Sequence, residues 1–162
     1  MKLPQEPDAC AKLTGNADYP DIQGIVKFYD TYGGSIVAVE VTGIRDKTGT
    51  AKEGFLGFHV HEGAACTGTK DDPFADAGAH YNPEDKPHPD HAGDLPPLLV
   101  CDGEAWMMVF TGRFFPEDVI GRTVVIHDMP DDFHSQPSGD SGARIACGEI
   151  KETEESGLFH EE

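Results

Sequence analysis

No stretch of this chain sustains the 3.6-residue apolar repeat of an amphipathic helix. Its apolar residues come in short alternating or continuous runs, each closed by Gly, Pro, Asn or Asp. A chain punctuated this way can bury its apolar side chains only on strand faces, so the fold class is all-β. The candidate strands are ACAKLTG (9–15), DIQGIVKFYD (21–30), SIVAVEVTGI (35–44), GFLGFHVHE (54–62), PLLVC (97–101), EAWMMVFTG (104–112), RTVVIHD (122–128) and ARIACGEI (143–150). Eight such strands predict a sandwich or flattened barrel. DTYGG and the Asp102-Gly103 pair read as tight hairpin turns, and FFPEDVIG as a brief helical turn.

Two connections do not fit a minimal barrel. Residues 63–96 and 128–142 are long, rich in Pro, Gly, Asp and His, and poor in aliphatic side chains. Long loops in a compact domain carry function or are disordered. At 162 residues the chain reads as one domain, 1–162, with a core over about 9–150 and an acidic, frayed tail over 151–162. The formal charge of −18 argues against a nucleic-acid or anionic-membrane partner, which it would repel. No apolar run reaches the roughly 20 residues of a membrane span. MKLPQEPDAC lacks the apolar core of a signal peptide, which suits the cytoplasm, or the periplasm or exterior if a leader has been removed.

Seven of the eight histidines lie in or beside the two long loops, and six of them, all but His134, are candidate ligands. His59 and His61 stand at i and i+2 of a candidate strand, so both imidazoles point to one face while Val60 turns to the other. His80, His88 and His91 fall within fifteen positions that end at Asp94, and His127 closes the run TVVIHD. Neutral imidazole is the commonest metal ligand near physiological pH, and histidines with one carboxylate suit tetrahedral zinc. The material is sufficient for two metal sites. His134 and His160 read as solvated side chains. The four cysteines are compatible with one or two disulfides, with free thiols, or with a mixture.

In this order, GFHVHEG, GAHYNP, HAGDLPPLLV, TVVIHDMPDD and SGDSGARIACGEI closely resemble the signature segments of the copper/zinc superoxide dismutases. The resemblance covers roughly residues 9–150 and points to the bacterial branch. It implies an eight-stranded Greek-key β-barrel with two long functional loops. It also implies copper and zinc as cofactors, with superoxide as the small anionic substrate. Carried over by motif, His59, His61, His80 and His127 bind copper, and His80, His88, His91 and Asp94 bind zinc, with His80 as the bridge. Cycling of the copper converts superoxide to dioxygen and hydrogen peroxide, and His80 doubles as a proton donor. Asp131 accepts hydrogen bonds from one copper and one zinc histidine. Arg144 attracts the anion, Ser138 narrows the channel, and Cys66 and Cys147 form the disulfide. Cys10 and Cys101 have no role in the resemblance and read as buried thiols or a second bridge.

This chain departs from the pattern in both loops. Only two residues separate His88 from His91, so the zinc loop must be reached by a tighter backbone containing Pro87 and Pro89. The loop from His127 to Arg144 is also shortened, acidic and free of lysine, which leaves Arg144 and the metals to steer the substrate. The segment from Cys66 to His80 is longer than in the animal enzymes; no assembly is carried over, though a homodimer is open to the chain. The competing reading is a metal-binding barrel that carries or buffers copper or zinc without turnover. A purely structural or adhesive sandwich leaves the histidines unexplained.

Overall fold

The computed structural model describes residues 6–154. Its strands are β1 (Ala9–Gly15), β2 (Gln23–Thr31), β3 (Gly34–Thr42), β4 (Gly54–Leu56), β5 (Phe58–His61), β6 (Leu98–Val100), β7 (Ala105–Thr111), β8 (Thr123–His127), β9 (Arg144–Glu149) and β10 (Lys151–Glu152). One sheet runs β5-β8-β9-β1-β2-β3-β7, with β10 also paired to β1, and β4 pairs with β6. Chain continuity from β4 to β5 and from β6 to β7 closes the curled sheet into a flattened barrel. Successive strands β3 and β4/β5 lie far apart in the order, the crossing that defines a Greek key.

The predicted strands all form, and α1 (Pro116–Val119) is the brief helical turn read in FFPEDVIG. Asp102 and Gly103 both take positive φ, 47° and 74°, between the bridged Cys101 and Glu104, the two-residue hairpin geometry that Asp-Gly favours. Three details differ from the sequence reading. The run 54–62 breaks at Gly57, where the strand leaves β6 and joins β8; a side chain there would come within 2.7 Å of the Ser141 hydroxyl. Lys151 and Glu152, read as the start of the tail, pair with β1. A 3₁₀ turn spans Ala75–Ala77 inside the first long loop. The remaining tail, with His160, lies outside the described residues.

Alternation sorts the two faces of the barrel. Phe58, Val60, Val124 and Ile126 turn inward to join Val26, Phe28, Val37, Val39 and Ile145 in one buried core. Their neighbours point outward, so His59, His61, Val125, His127 and Cys147 share the outer face of β5, β8 and β9. Both long loops fold over this face. A second, smaller cluster forms beneath them from Phe74, Ala77, Val125 and Cys147.

Cys147 is bonded to Cys66, with Cα atoms 5.7 Å apart across 81 residues of sequence. The other two thiols are free, Cys10 half-buried and Cys101 exposed, which corrects the expectation of buried thiols or a second bridge. The reason is strand parity. Ala9 and Ala11 face the core, so Cys10 faces out, and Leu98 and Val100 do the same to Cys101.

The disulfide ties the first long loop to the barrel, and closing a loop of this length restricts the unfolded chain by about 4 kcal/mol in the chain-entropy model. Urea unfolding of the metal-free Cys66→Ser/Cys147→Ser variant is therefore expected to show a stability loss of about that size. An unchanged midpoint would mean that the loop is held by its packing alone.

Candidate metal centre

Strand β5 pairs with β8 along one edge, and its other edge is completed by loop segments. Tyr81 N–H donates to Val60 O at 2.8 Å, Val60 N–H to Gly93 O at 2.9 Å, and Glu62 N–H to Ala79 O at 2.8 Å. These bonds set His80 opposite His61 and Asp94 opposite His59. The first loop thus delivers its ligating side chains as an added strand would. On the other side, His127 follows Val125 by two on β8 and so faces the same spot, while the partner strand β9 bulges at Ile145, between Ala146 opposite Ile126 and Arg144 opposite His127. The result is two buried groups, His59–His61–His80–His127 and His80–His88–His91–Asp94, in each of which the candidate ligand atoms lie within 4.8 Å of one another.

Hydrogen bonds fix which nitrogen of each ring is free. His61 Nδ1–H donates to Gly78 O at 2.9 Å and His127 Nδ1–H to Gly142 O at 3.3 Å, because a carbonyl can only accept. In the neutral rings both Nε2 atoms are then bare lone pairs, and they face each other 3.3 Å apart. His59 Nε2–H donates to Asp131 Oδ2 at 2.8 Å and His88 Nε2–H to Asp131 Oδ1 at 2.8 Å, leaving Nδ1 of each buried without a hydrogen-bond partner. His88 Nδ1 lies 3.0 Å from Asp94 Oδ2. His80 Nδ1 sits 2.8 Å from Asp94 Oδ1 and 3.2 Å from His91 Nδ1, while its Nε2 has no partner. Buried lone pairs turned toward one another fit a cation in each group, with His80 spanning both. Four imidazoles suit copper and His₃Asp suits zinc.

The electrostatics agree with this accounting. Burial pushes the His59 imidazole down to about 4 against the pull of Asp131. It pushes His127 down to about 3, and His61 well below its ordinary range, with the neighbouring histidines adding to the effect. His91 is lowered mainly by burial. Burial opposes ionisation of Asp131 and Asp94. Hydrogen bonds from His59 and His88 to the first, and from His80 to the second, outweigh it and hold both carboxyls below their usual range. The rings of His59, His61, His91 and His127 are therefore neutral and both carboxylates charged at pH 7, the protonation states that metals require.

Asp131 takes a third donor, Phe133 N–H at 2.8 Å. Gly139, at φ +71°, packs its backbone against this carboxylate; a Cβ there would lie 2.1 Å from Asp131 Oδ1. Arg144 reaches the pocket mouth half-buried, its guanidinium held by Phe74 O at 2.6 Å and Gly78 O at 2.9 Å. Those carbonyls lie in the segment tied down by Cys66. The pocket holds His61, His80 and His127 in its wall with Ser138, Arg144, Glu62 and Asp85. Arg144 is its only Lys or Arg among the described residues, while His134 lies exposed and outside it. Sequence reasoning missed the carbonyls of Gly78 and Gly142, which select the ring nitrogens. It also missed Gln136 and Arg113, which hold the backbone of His88, Pro89 and His91. No local pattern marks such residues, since each acts across a long sequence separation.

The family model for copper/zinc superoxide dismutase matches residues 22–150. Among curated proteins, the copper/zinc superoxide dismutase of Deinococcus radiodurans is 36% identical over 165 aligned positions, covering 86% of this chain and 87% of its own length. A second such enzyme, from Aquifex aeolicus, is 31% identical and covers 81% of this chain and 80% of its own length. Among solved structures, the Cu/Zn superoxide dismutase from Brucella abortus aligns with a TM-score of 0.73 at 29% identity, covering 88% of this chain and 99% of its own.

A pH dependence follows from the buried neutral rings. As pH falls below about 6.5 the unfolded chain takes up protons that His59, His61 and His127 refuse, so stability is full above that pH and declines toward about pH 4 and below. Asp94 and Asp131, held low when folded, add to the loss in acid. Urea unfolding of the metal-free protein is expected to weaken by roughly 1 kcal/mol per pH unit for each such histidine between about pH 6 and pH 4. A flat profile over that range would show that the rings are not buried in neutral form.

Proposed function

The chain belongs to the copper/zinc superoxide dismutase family, and on that premise we propose which of its residues carry the reaction. It is a superoxide dismutase that uses copper and zinc. We assign copper to His59 Nδ1 and to Nε2 of His61, His80 and His127. Zinc goes to Nδ1 of His80, His88 and His91 and to the Asp94 carboxylate. The observation that carries both sets is the convergence of buried lone pairs, most directly the 3.3 Å approach of His61 Nε2 and His127 Nε2. Bound copper supplies one-electron chemistry that turns superoxide into dioxygen and hydrogen peroxide, and zinc supplies a fixed positive charge beside it.

The protein's own groups bind and orient. Arg144 offers guanidinium charge at the pocket mouth without being able to swing away, because Phe74 O and Gly78 O both hold it. His61 shares the Gly78 carbonyl, so the ring and the cation are fixed to one point of the backbone. His80 Nε2, which no protein group occupies, is the atom on the pocket wall where a proton can be held. Asp131 orients His59 and His88 together, so disturbance of one set is felt by the other. Ser138 narrows the opening.

We further propose a homodimer. Strand β7 is apolar on both faces: Met107 and Val109 pack on the core, while Trp106, Met108 and Phe110 point to solvent at 66%, 42% and 52% exposure. A strand facing water on one side normally alternates with polar residues, and an apolar stripe of this kind marks a contact surface. No helix among the described residues is long and apolar enough to cross a membrane.

Two measurements check these readings. With Arg144 as the pocket's one fixed side-chain cation, kcat/KM for superoxide is expected to change by less than about twofold between low and physiological salt. Arg144→Ala should lower it roughly tenfold at unchanged metal content. A steep fall of the wild-type rate with salt would place the steering charge elsewhere. In sedimentation velocity the wild type should run as a dimer and Trp106→Glu as a monomer of unchanged fold; a monomeric wild type would rule the dimer out.

A further inference from the structure

The segment carrying His88 and His91 is too short to hold its own shape. Two residues separate the histidines, and Pro87 and Pro89 contribute no N–H. Inside the segment only Asp90 N–H to Pro87 O at 2.8 Å and Asp94 N–H to His91 O at 3.1 Å close turns. His91 N–H donates to Asp94 Oδ2 at 3.0 Å, and the carbonyls of His88, Pro89 and His91 and the N–H of His88 are met from outside. Gln136, from the loop after β8, pairs with both backbone groups of His88: its Oε1 accepts from His88 N–H at 2.9 Å and its Nε2 donates to His88 O at 2.8 Å. A side-chain amide bonded reciprocally in this way takes the place of a residue on an adjacent strand. On the opposite flank Arg113, just beyond β7, donates from Nη1 to Pro89 O at 2.7 Å and His91 O at 3.0 Å. None of the bonds from Gln136 and Arg113 uses an imidazole nitrogen or the Asp94 carboxylate.

We propose that Gln136 and Arg113 are positioning residues for zinc, a two-sided clamp that holds the backbone of 88–91 in its ligating conformation before the ion arrives. The clamp rests on the assignment of His80, His88, His91 and Asp94 as the zinc set. Its physical effect is to move the ordering cost of the loop from metal binding to folding, so that zinc meets a shaped site. Gln136 does more than Arg113. It belongs to the same loop as Asp131, whose carboxylate holds the His88 ring, so one loop fixes both the backbone and the side chain of this ligand.

The test is zinc titration of the full-length, copper-free protein against a competing chromophoric chelator. Gln136→Ala and Arg113→Ala are each expected to weaken zinc binding by about tenfold. Gln136→Glu should weaken it as well, because a carboxylate still accepts from His88 N–H but repels the His88 carbonyl. Arg113→Lys should recover most of the loss, since one nitrogen serves both carbonyls. Both side chains are exposed, so the variants keep their core. Cobalt(II) placed in the site gives a second readout: its visible bands should shift in the two alanine variants, which a role limited to overall stability would not cause. Wild-type affinities and unshifted bands in all four variants would overturn the clamp. His88→Ala and Asp94→Asn serve as ligand controls; if they bind zinc as the wild type does, the zinc assignment itself fails and the clamp with it.

Discussion

Two imidazole nitrogens 3.3 Å apart, each bare because its ring has spent the other nitrogen on a carbonyl, repel one another between two buried side chains. The folded chain meets this repulsion at several points, with the unpartnered nitrogens of His59, His80 and His88 nearby. Much of the remaining architecture serves to hold these groups in place against it. The barrel supplies a rigid face, the edge of β5 recruits His80 and Asp94, and Asp131 pins two rings at once. Metal binding then relieves a cost that folding has already met, which is why so many outer contacts are needed to keep the ligands from relaxing apart.

How much of this could be read beforehand depended on the range of the interaction. Strand parity is local, so the shared face of His59 and His61, the Asp102-Gly103 hairpin and the inward set Phe58, Val60, Val124 and Ile126 were legible in the chain. The same parity marked Cys10 and Cys101 as outward residues, and reading them as buried ignored it. The break at Gly57 was not legible, because the close approach that demands glycine comes from Ser141, far along the sequence. Nor was the choice of ring nitrogen, which is set by the carbonyls of Gly78 and Gly142. Family resemblance named candidate ligands as residues; the fold adds which ring nitrogen of each is left free.

The charge distribution shows how a strongly acidic protein can present a site to a small anion. A net charge of −18 opposes approach at long range, but salt shortens that range to about 8 Å under physiological conditions. Inside the pocket the balance is different. His61 and His127 are neutral, held so by burial, and Arg144 is locked by two carbonyls at the mouth. A fixed cation in partly excluded solvent acts more strongly than several mobile lysines on a wet rim. The disulfide belongs to this arrangement, since Cys66 anchors the segment whose Phe74 and Gly78 carbonyls hold the guanidinium.

Shortened loops alter where stability must come from. A long loop can satisfy its own backbone with internal turns, whereas a short one bracketed by prolines leaves carbonyls that neighbouring elements must meet. Here the first loop is sealed to β5 by backbone pairing and to the barrel by Cys66, and the second closes over it through Asp131 and Gly139. Gly139 matters because its backbone sits where any side chain would strike the carboxylate that joins the two histidine sets. The two loops therefore cannot move independently without breaking hydrogen bonds to a buried charge, which cost more than neutral ones. Shortening has exchanged freedom within each loop for dependence between them, and that dependence carries order from one histidine set to the other.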